Sequence, residues 1–557
     1  MASSGVAMSS PSTRCKVVRG LLELDYMEPF GGIIDCHRRG CVDCRFLVDV
    51  LGTMHLPIPA MNEQLMLEYT EVEHRYFTIY IEKLDLDAGQ VDIYTGEVSE
   101  EPRPVSPMSV FSTGHSFSLH HSSQDNLAWL KGLKTLSTPP PLFDHDIMEV
   151  AKSSASTAAF DRARQWLSHC VENHPHCRTH NREGAGPGRL LELSSDSPNT
   201  IRLVDFESRT EWPPYACLSY CWGTDLKGVI TTTNASLADH LVGISVEVLP
   251  KTLADAVRVC RELGVPYLWV DSLCIIQQDS DDFAKEGSKM DAIYANSLLT
   301  MYAKHVSSCK DGFLGPQDFG KPDWQSLAPF PTPTGLPFYV RQGNHKVDED
   351  FPLDSRGWCL QECMLPKRQL IYTGKEMVWK CNSHHLCECG HIFPGPGDGG
   401  CGYTAHSLRA ADARFGDEVQ WWTRVVENYS DRSLTNLHDK LPAISAVARL
   451  ATSHLFPPGV GYFAGLLEEG LPDQLLWWRE NWLKQRARVD DRMPTWSWAS
   501  VPGPVKFSHP DKIDQSTPIA VVNSISCTPS HPGYPLGSIT SGYLVLNAPV
   551  LEVHLAV

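Results

Sequence analysis

Residues 252–303 restrict this chain more than any other stretch, because they read as helix, strand, helix, strand in direct succession. The centre is Tyr267-Leu268-Trp269-Val270 followed by Asp271-Ser272, an apolar run that ends on polar groups. A buried strand of a parallel sheet has this pattern, and its carboxyl end is where open α/β sheets keep their ligand sites. Ahead of it, Leu253, Ala256, Val257, Cys260 and Leu263 fall on one face at helical spacing. Thr252 with Asp255 resembles a capping box, and Gly264 and Pro266 end the helix. Behind the strand, Phe283, Met290 and Tyr294 share a stripe on a second expected helix, and Leu298 to Ala303 reads as another buried strand. Asp271 and Ser272 are therefore candidates to hydrogen-bond a ligand's hydroxyls, the competing reading being a turn or helix cap.

The remainder sorts around this unit. At 557 residues, two to four domains are expected on a prior of roughly 100–200 residues each. Residues 1–150 read as a β-rich region with a Ser/Pro/His-rich linker from about Glu100 to Pro141. Residues 151–390 form the central domain, with a lead-in helix, a short strand at Tyr215 to Tyr220, and a loop-rich insertion at about 304–352. Residues 391–557 read as helical and then β-rich. Hydrophobic residues at 42% and charged residues at 20% describe a folded chain, and 15 tryptophans supply core and stacking surfaces.

Acidic residues outnumber basic ones by 66 to 48, and a net charge of -18 argues against nucleic acid or an anionic membrane as the main partner. Met1 to Thr13 lacks an apolar core and no stretch is long enough to span a bilayer, so a cytoplasmic protein is expected, with its 18 cysteines reduced. Two constellations have zinc-ligand character. One combines Cys36, Cys41 and Cys44 with Cys170, His174 and Cys177; the other is Cys381, Cys387 and Cys389 with His384 or His385. Trp166 shares the helical face of Cys170, His174 and Cys177, so a core stripe competes, and no bound cofactor is expected. Cys274, Cys359 and Cys363 have no local histidine and are read as buried thiols rather than nucleophiles.

Four separated motifs, in this order, resemble the fungal heterokaryon-incompatibility (HET) domain family. They are YACLSYCWG at Tyr215 to Gly223; LPKTLADAV, YLWVDSLCIIQQD and IYANSLLTMYA between Leu249 and Ala303; RGWCLQECMLPKR at Arg356 to Arg368; and MVWKC to CE at Met377 to Glu388. Cys170 to Cys177, Leu434 to Ala448 and Pro494 to Val505 also resemble flanking segments, so the likeness spans roughly residues 160–510. The resemblance implies fungal non-self recognition and regulated cell death through self-association or an incompatibility partner.

It further implies a distant likeness to Toll/interleukin-1 receptor (TIR) domains, and hence a TIR/flavodoxin-like α/β fold whose parallel sheet is flanked by helices, with NAD as substrate. On that plan Glu362 is the catalytic carboxylate, with Glu286 in reserve. Ser219, Trp222, Gly223, Asp271, Ser272 and Trp358 line the substrate site. The competing role for Glu362 is a surface pair with Lys367 or Arg368. A non-enzymatic signalling module and a zinc-stabilised regulatory protein are the alternatives.

Overall fold

A computed structural model describes residues 28–40, 64–68, 76–82, 115–121, 150–178, 186–193, 197–317, 338–342, 351–388, 418–456, 459–479, 493–508 and 520–549. The chain divides into two compact units. The larger comprises residues 150–317, 347–388 and 393–557. The C-terminal region, read from sequence as a separate segment, therefore belongs to the same unit as the central domain. Trp421, Trp422, Val447 and Trp498 share one buried core with Leu268 and Met301, which is why it does not stand alone.

The large unit is built on a mixed sheet of nine strands flanked by helices. From one edge the strands are His385–Cys387, Met377–Cys381, Arg368–Tyr372, Leu299–Ala303, Tyr215–Ser219, Tyr267–Trp269, Arg189–Glu192, Thr200–Asp205 and Ile244–Ser245. The four in the middle, from Arg368 to Trp269, are parallel. Antiparallel strands extend the sheet on both sides. All five residues of Tyr215–Ser219 and of Leu299–Ala303 are buried, as strands covered on both faces must be.

Numbered along the chain, the parallel strands lie in the spatial order second, first, third, fourth. The first strand, Tyr215–Ser219, sits between the second and the third. The crossovers on its two sides leave in opposite directions, the kind of topological switch point at which open α/β sheets keep their ligand sites, at the carboxyl ends of the strands.

Two local expectations change, and a third position is defined. The Thr252–Asp255 capping box does not form: the helix is Lys251–Glu262, and Thr252 lies within it. The Thr252 hydroxyl accepts the Gly312 N–H at 3.1 Å, while Asp255 accepts those of Phe313 and Leu314 at 2.8 and 3.0 Å. Both side chains are spent on holding the loop after the third parallel strand. The expected helix through Phe283 and Tyr294 is two, Ser280–Gly287 and Met290–Asn296. Asp271 and Ser272 open a short helix, Asp271–Cys274.

The smaller unit contains residues 1–149, 318–346 and 389–392. Its sheet runs Glu28–Pro29, Gln64–Glu68, Tyr76–Glu82, His115–His121, Phe338–Gln342. Two expectations are thereby corrected. His115–His121 lies within the stretch read as linker, where alternating Phe117 and Leu119 outweigh the Ser/His content. The loop-rich insertion supplies Phe338–Gln342, an edge strand paired with His115–His121. Among the described residues no helix is long and apolar enough to cross a membrane.

Candidate active site

The loops leaving the first three parallel strands and the helix Cys359–Met364 meet at the carboxyl ends of those strands. Ser219 is the last residue of the first strand, and its hydroxyl donates to Glu362 Oε2. Glu362 is 9% exposed and Ser219 1%. Burial pushes the Glu362 carboxyl up to about 7, against the lowering effects of the Ser219 hydrogen bond and the nearby Arg356. Its environment is that of a charge poorly served by water. The surface pair with Lys367 or Arg368 is not how this side chain is used.

Of the next three residues of the loop, Tyr220 and Trp222 take places in the same network. The Tyr220 hydroxyl donates to Ser272 Oγ at 2.9 Å, and the Trp222 indole N–H donates to Asp271 Oδ2 at 2.9 Å. Cys221 lies in an apolar cluster with Tyr302, Leu353, Cys359 and Cys363. Asp271 also accepts the Ser272 backbone N–H, 2.7 Å from Oδ1, and burial raises its pKa from the ordinary carboxylate range. Gly223 has φ +87°, and a Cβ there would lie 2.7 Å from Ser308 Oγ; this glycine lets the loop after the first strand close on the loop after the third.

Arg356 went without a role in the sequence reading and is central here. Its guanidinium donates to the Tyr220 carbonyl, and its charge acts on Glu362, Asp271 and Cys359. The signal was present as the Arg-Gly-Trp start of the third motif, but only the tertiary fold sets that arginine between two acids.

Ser219, Asp271, Ser272, Trp222 and Glu362 are thus one hydrogen-bonded and charged assembly. Ser272 is fully buried and engaged by Tyr220, whereas Trp222, Asp271 and Arg356 are half-buried and form the solvent side. Trp358 caps the Glu362 helix, packs edge-on against Phe283 with centroids 6.0 Å apart, and donates to Asp439 Oδ2 at 3.4 Å. The reserve candidate Glu286 is fully buried and committed elsewhere: Oε2 accepts the Gly188 N–H at 3.0 Å, and Oε1 pairs with Lys289 at 2.8 Å.

Cys274, Cys359 and Cys363 are buried. Glu388, in the fourth motif, is likewise structural: it accepts the N–H groups of Ala151 and Met377 and the Gln317 amide. A cavity of about 150 Å³ lies elsewhere, lined by His305, Phe313, Gln317, Tyr372 and Glu376, and contains none of the Glu362 assembly.

The two cysteine constellations are regrouped. Cys170, His174 and Cys177 come together with Cys381, one member of the second group. Cys36 lies on the helix Phe30–Arg38, Cys387 ends the strand His385–Cys387, and Cys41, Cys44 and Cys389 fall outside the described residues.

Residues 215–362 match the family model described as heterokaryon incompatibility protein (HET), so the chain carries a HET domain over this segment. The matched span begins with the first parallel strand and ends on Glu362 itself. No curated protein and no solved structure matches the chain.

Proposed function

We propose that this is a cytoplasmic protein of fungal non-self recognition and regulated cell death, whose HET domain has a TIR-like core that hydrolyses NAD. Water adds its oxygen to ribose C1′ and loses a proton, while the C1′–nicotinamide bond breaks with its electron pair passing to the pyridine nitrogen. The products are nicotinamide, ADP-ribose and a proton. The transition state is a ribose cation of oxocarbenium character, which a positioned carboxylate stabilises.

The observation carrying this reading is Glu362: a desolvated carboxyl held by Ser219 at the carboxyl ends of the parallel strands, with its pKa raised to about 7. An anion that burial destabilises gains most from a developing cation beside it. In support, the second-first-third-fourth strand order is the one a flavodoxin-like sheet would have, and Glu362 is bonded to the last residue of the first strand, at the end where such sheets keep their ligands. Trp222 and Asp271, half-buried at the solvent side, are the groups for base stacking and ribose hydroxyls.

Incubating the full chain with NAD and measuring free nicotinamide tests the reading. Release should fall by about 100-fold or more in Glu362→Ala. Release that survives this substitution removes Glu362 from the chemistry.

A non-enzymatic self-associating module is the second reading, favoured by one observation. The hairpin Val521–Pro529 and Ile539–Asn547 is a sheet of two strands that exposes Val521, Tyr543, Val545 and Leu546. Absence of nicotinamide release from concentrated wild-type protein, together with its assembly in sedimentation, selects that reading.

A further inference from the structure

We propose that Cys170, His174, Cys177 and Cys381 bind one zinc ion in a closed structural site that clamps the two flanks of the HET segment together. The four ligand atoms lie within 4.8 Å of one another and all four residues are buried. Three thiolates and one imidazole are a standard tetrahedral set for structural zinc. His174 Nδ1 is 3.5 Å from Cys381 Sγ. With Zn–S and Zn–N bonds of about 2.3 and 2.0 Å, the S···N edge of such a tetrahedron is about 3.5 Å. The other ring nitrogen, Nε2, is buried without a hydrogen-bond partner among the described residues, so no hydrogen bond there competes for the ring's orientation.

The surroundings fit an anionic centre. Three thiolates around a divalent cation leave one net negative charge, and Arg368, 2% exposed, is there to meet it. Its Nε–H points at Cys170 Sγ from 3.2 Å, while its other N–H groups go to the carbonyls of Leu298, at 3.2 Å, and Cys177. Among the described residues it has no carboxylate partner, so the thiolate cluster is the anion that accounts for this buried cation. The His384 backbone N–H donates to Cys381 Sγ at 3.3 Å, the kind of outer hydrogen bond that supports a thiolate ligand.

The local structure explains how the set assembles. The helix Thr157–Asn173 buries Trp166 and Cys170, four residues apart, on one face. The strand Met377–Cys381 presents Trp379 and Cys381, two apart, on one side. The Trp166 and Trp379 rings meet with centroids 6.3 Å apart, and Cys170 and Cys381 meet beside them. The helix ends at Asn173, so His174 as its C-cap and Cys177 in the following turn bend back onto the strand.

Elemental analysis of the full chain, purified without chelator, should give about one zinc per chain. Cobalt exchanged into the site should show the intense visible absorption of tetrahedral cobalt thiolate. Cys387→Ser should keep the metal, while Cys381→Ser should retain less than about a tenth of it. Should Cys381→Ser fail to fold, the wild-type protein still decides: chelator should lower its thermal midpoint. Wild-type protein that carries no zinc, gives no cobalt spectrum and melts alike with and without chelator overturns the proposal. So does an intact mass showing two of these thiols joined as a disulfide.

Discussion

The same parallel strands carry two polar clusters, one at each end, and the clusters are built on opposite terms. At the carboxyl ends, Glu362, Ser219, Asp271 and Arg356 mix acids with a cation, and Asp271, Arg356 and Trp222 are half-buried. At the amino ends, where Arg368 opens its strand opposite Cys381, three thiols and an imidazole are wholly buried around one guanidinium. The first cluster keeps a charged group at odds with its surroundings, whereas in the second the thiols, the guanidinium and the imidazole Nδ1 engage one another. Unrelieved strain suits chemistry or ligand binding, and mutual satisfaction suits holding a fold together.

On that contrast, the largest stability loss comes from the amino-end cluster. Arg368→Ala removes a buried cation and its bonds to Cys170, Leu298 and Cys177, and should cost about 3–5 kcal/mol in urea unfolding. A loss below about 1 kcal/mol would show that the guanidinium is not paired to an anionic centre.

The carboxyl-end cluster should respond to pH, with the opposite sense from an ordinary paired acid. Glu362 has a folded pKa of about 7, above its ordinary value of 4.5, so the folded state holds the proton more tightly than the unfolded chain. Its contribution is full below pH 4.5 and is lost as the pH rises through 7, amounting to about 3 kcal/mol. Glu362→Gln can still accept from Ser219 and should flatten this part of the stability curve between about pH 5 and 8. An unchanged slope would place the carboxyl in a solvated setting.

The smallest effect belongs to the rim. Trp222→Phe keeps an aromatic ring, though a smaller one, and deletes the N–H given to Asp271; it should cost about 1–2 kcal/mol while raising the Asp271 pKa further. Carboxyl titration followed by NMR checks that direction.

The sequence made the strands legible and left their neighbours obscure. Tyr267 to Val270 and Leu298 to Ala303 announce themselves because buried parallel strands are continuous apolar runs. Glu362, Ser219 and Asp271 could be grouped as a site only through the family resemblance, since 143 residues separate Ser219 from Glu362. Cys381 was grouped with Cys387 and Cys389 because they adjoin it in sequence. Its actual companions on the Thr157–Asn173 helix and the following turn were readable only as two matching patterns, Trp and Cys four apart on a helix and two apart on a strand. Pairing those patterns requires knowing which strand that helix covers. His115–His121 was missed for the converse reason, since local composition concealed a partner more than 200 residues downstream, Phe338–Gln342.

The central position of Tyr215–Ser219 also governs how the domain is made. This strand emerges from the ribosome before either neighbour, so its ladder groups stay unpaired until Tyr267–Trp269 and then Leu299–Ala303 follow. At about 5–20 residues per second, the second edge stays open for several seconds of synthesis. An apolar strand with two free edges is the form most prone to pairing with another chain. The residues that deliver Ser219 to the site are thus those most exposed to misassembly before the sheet closes.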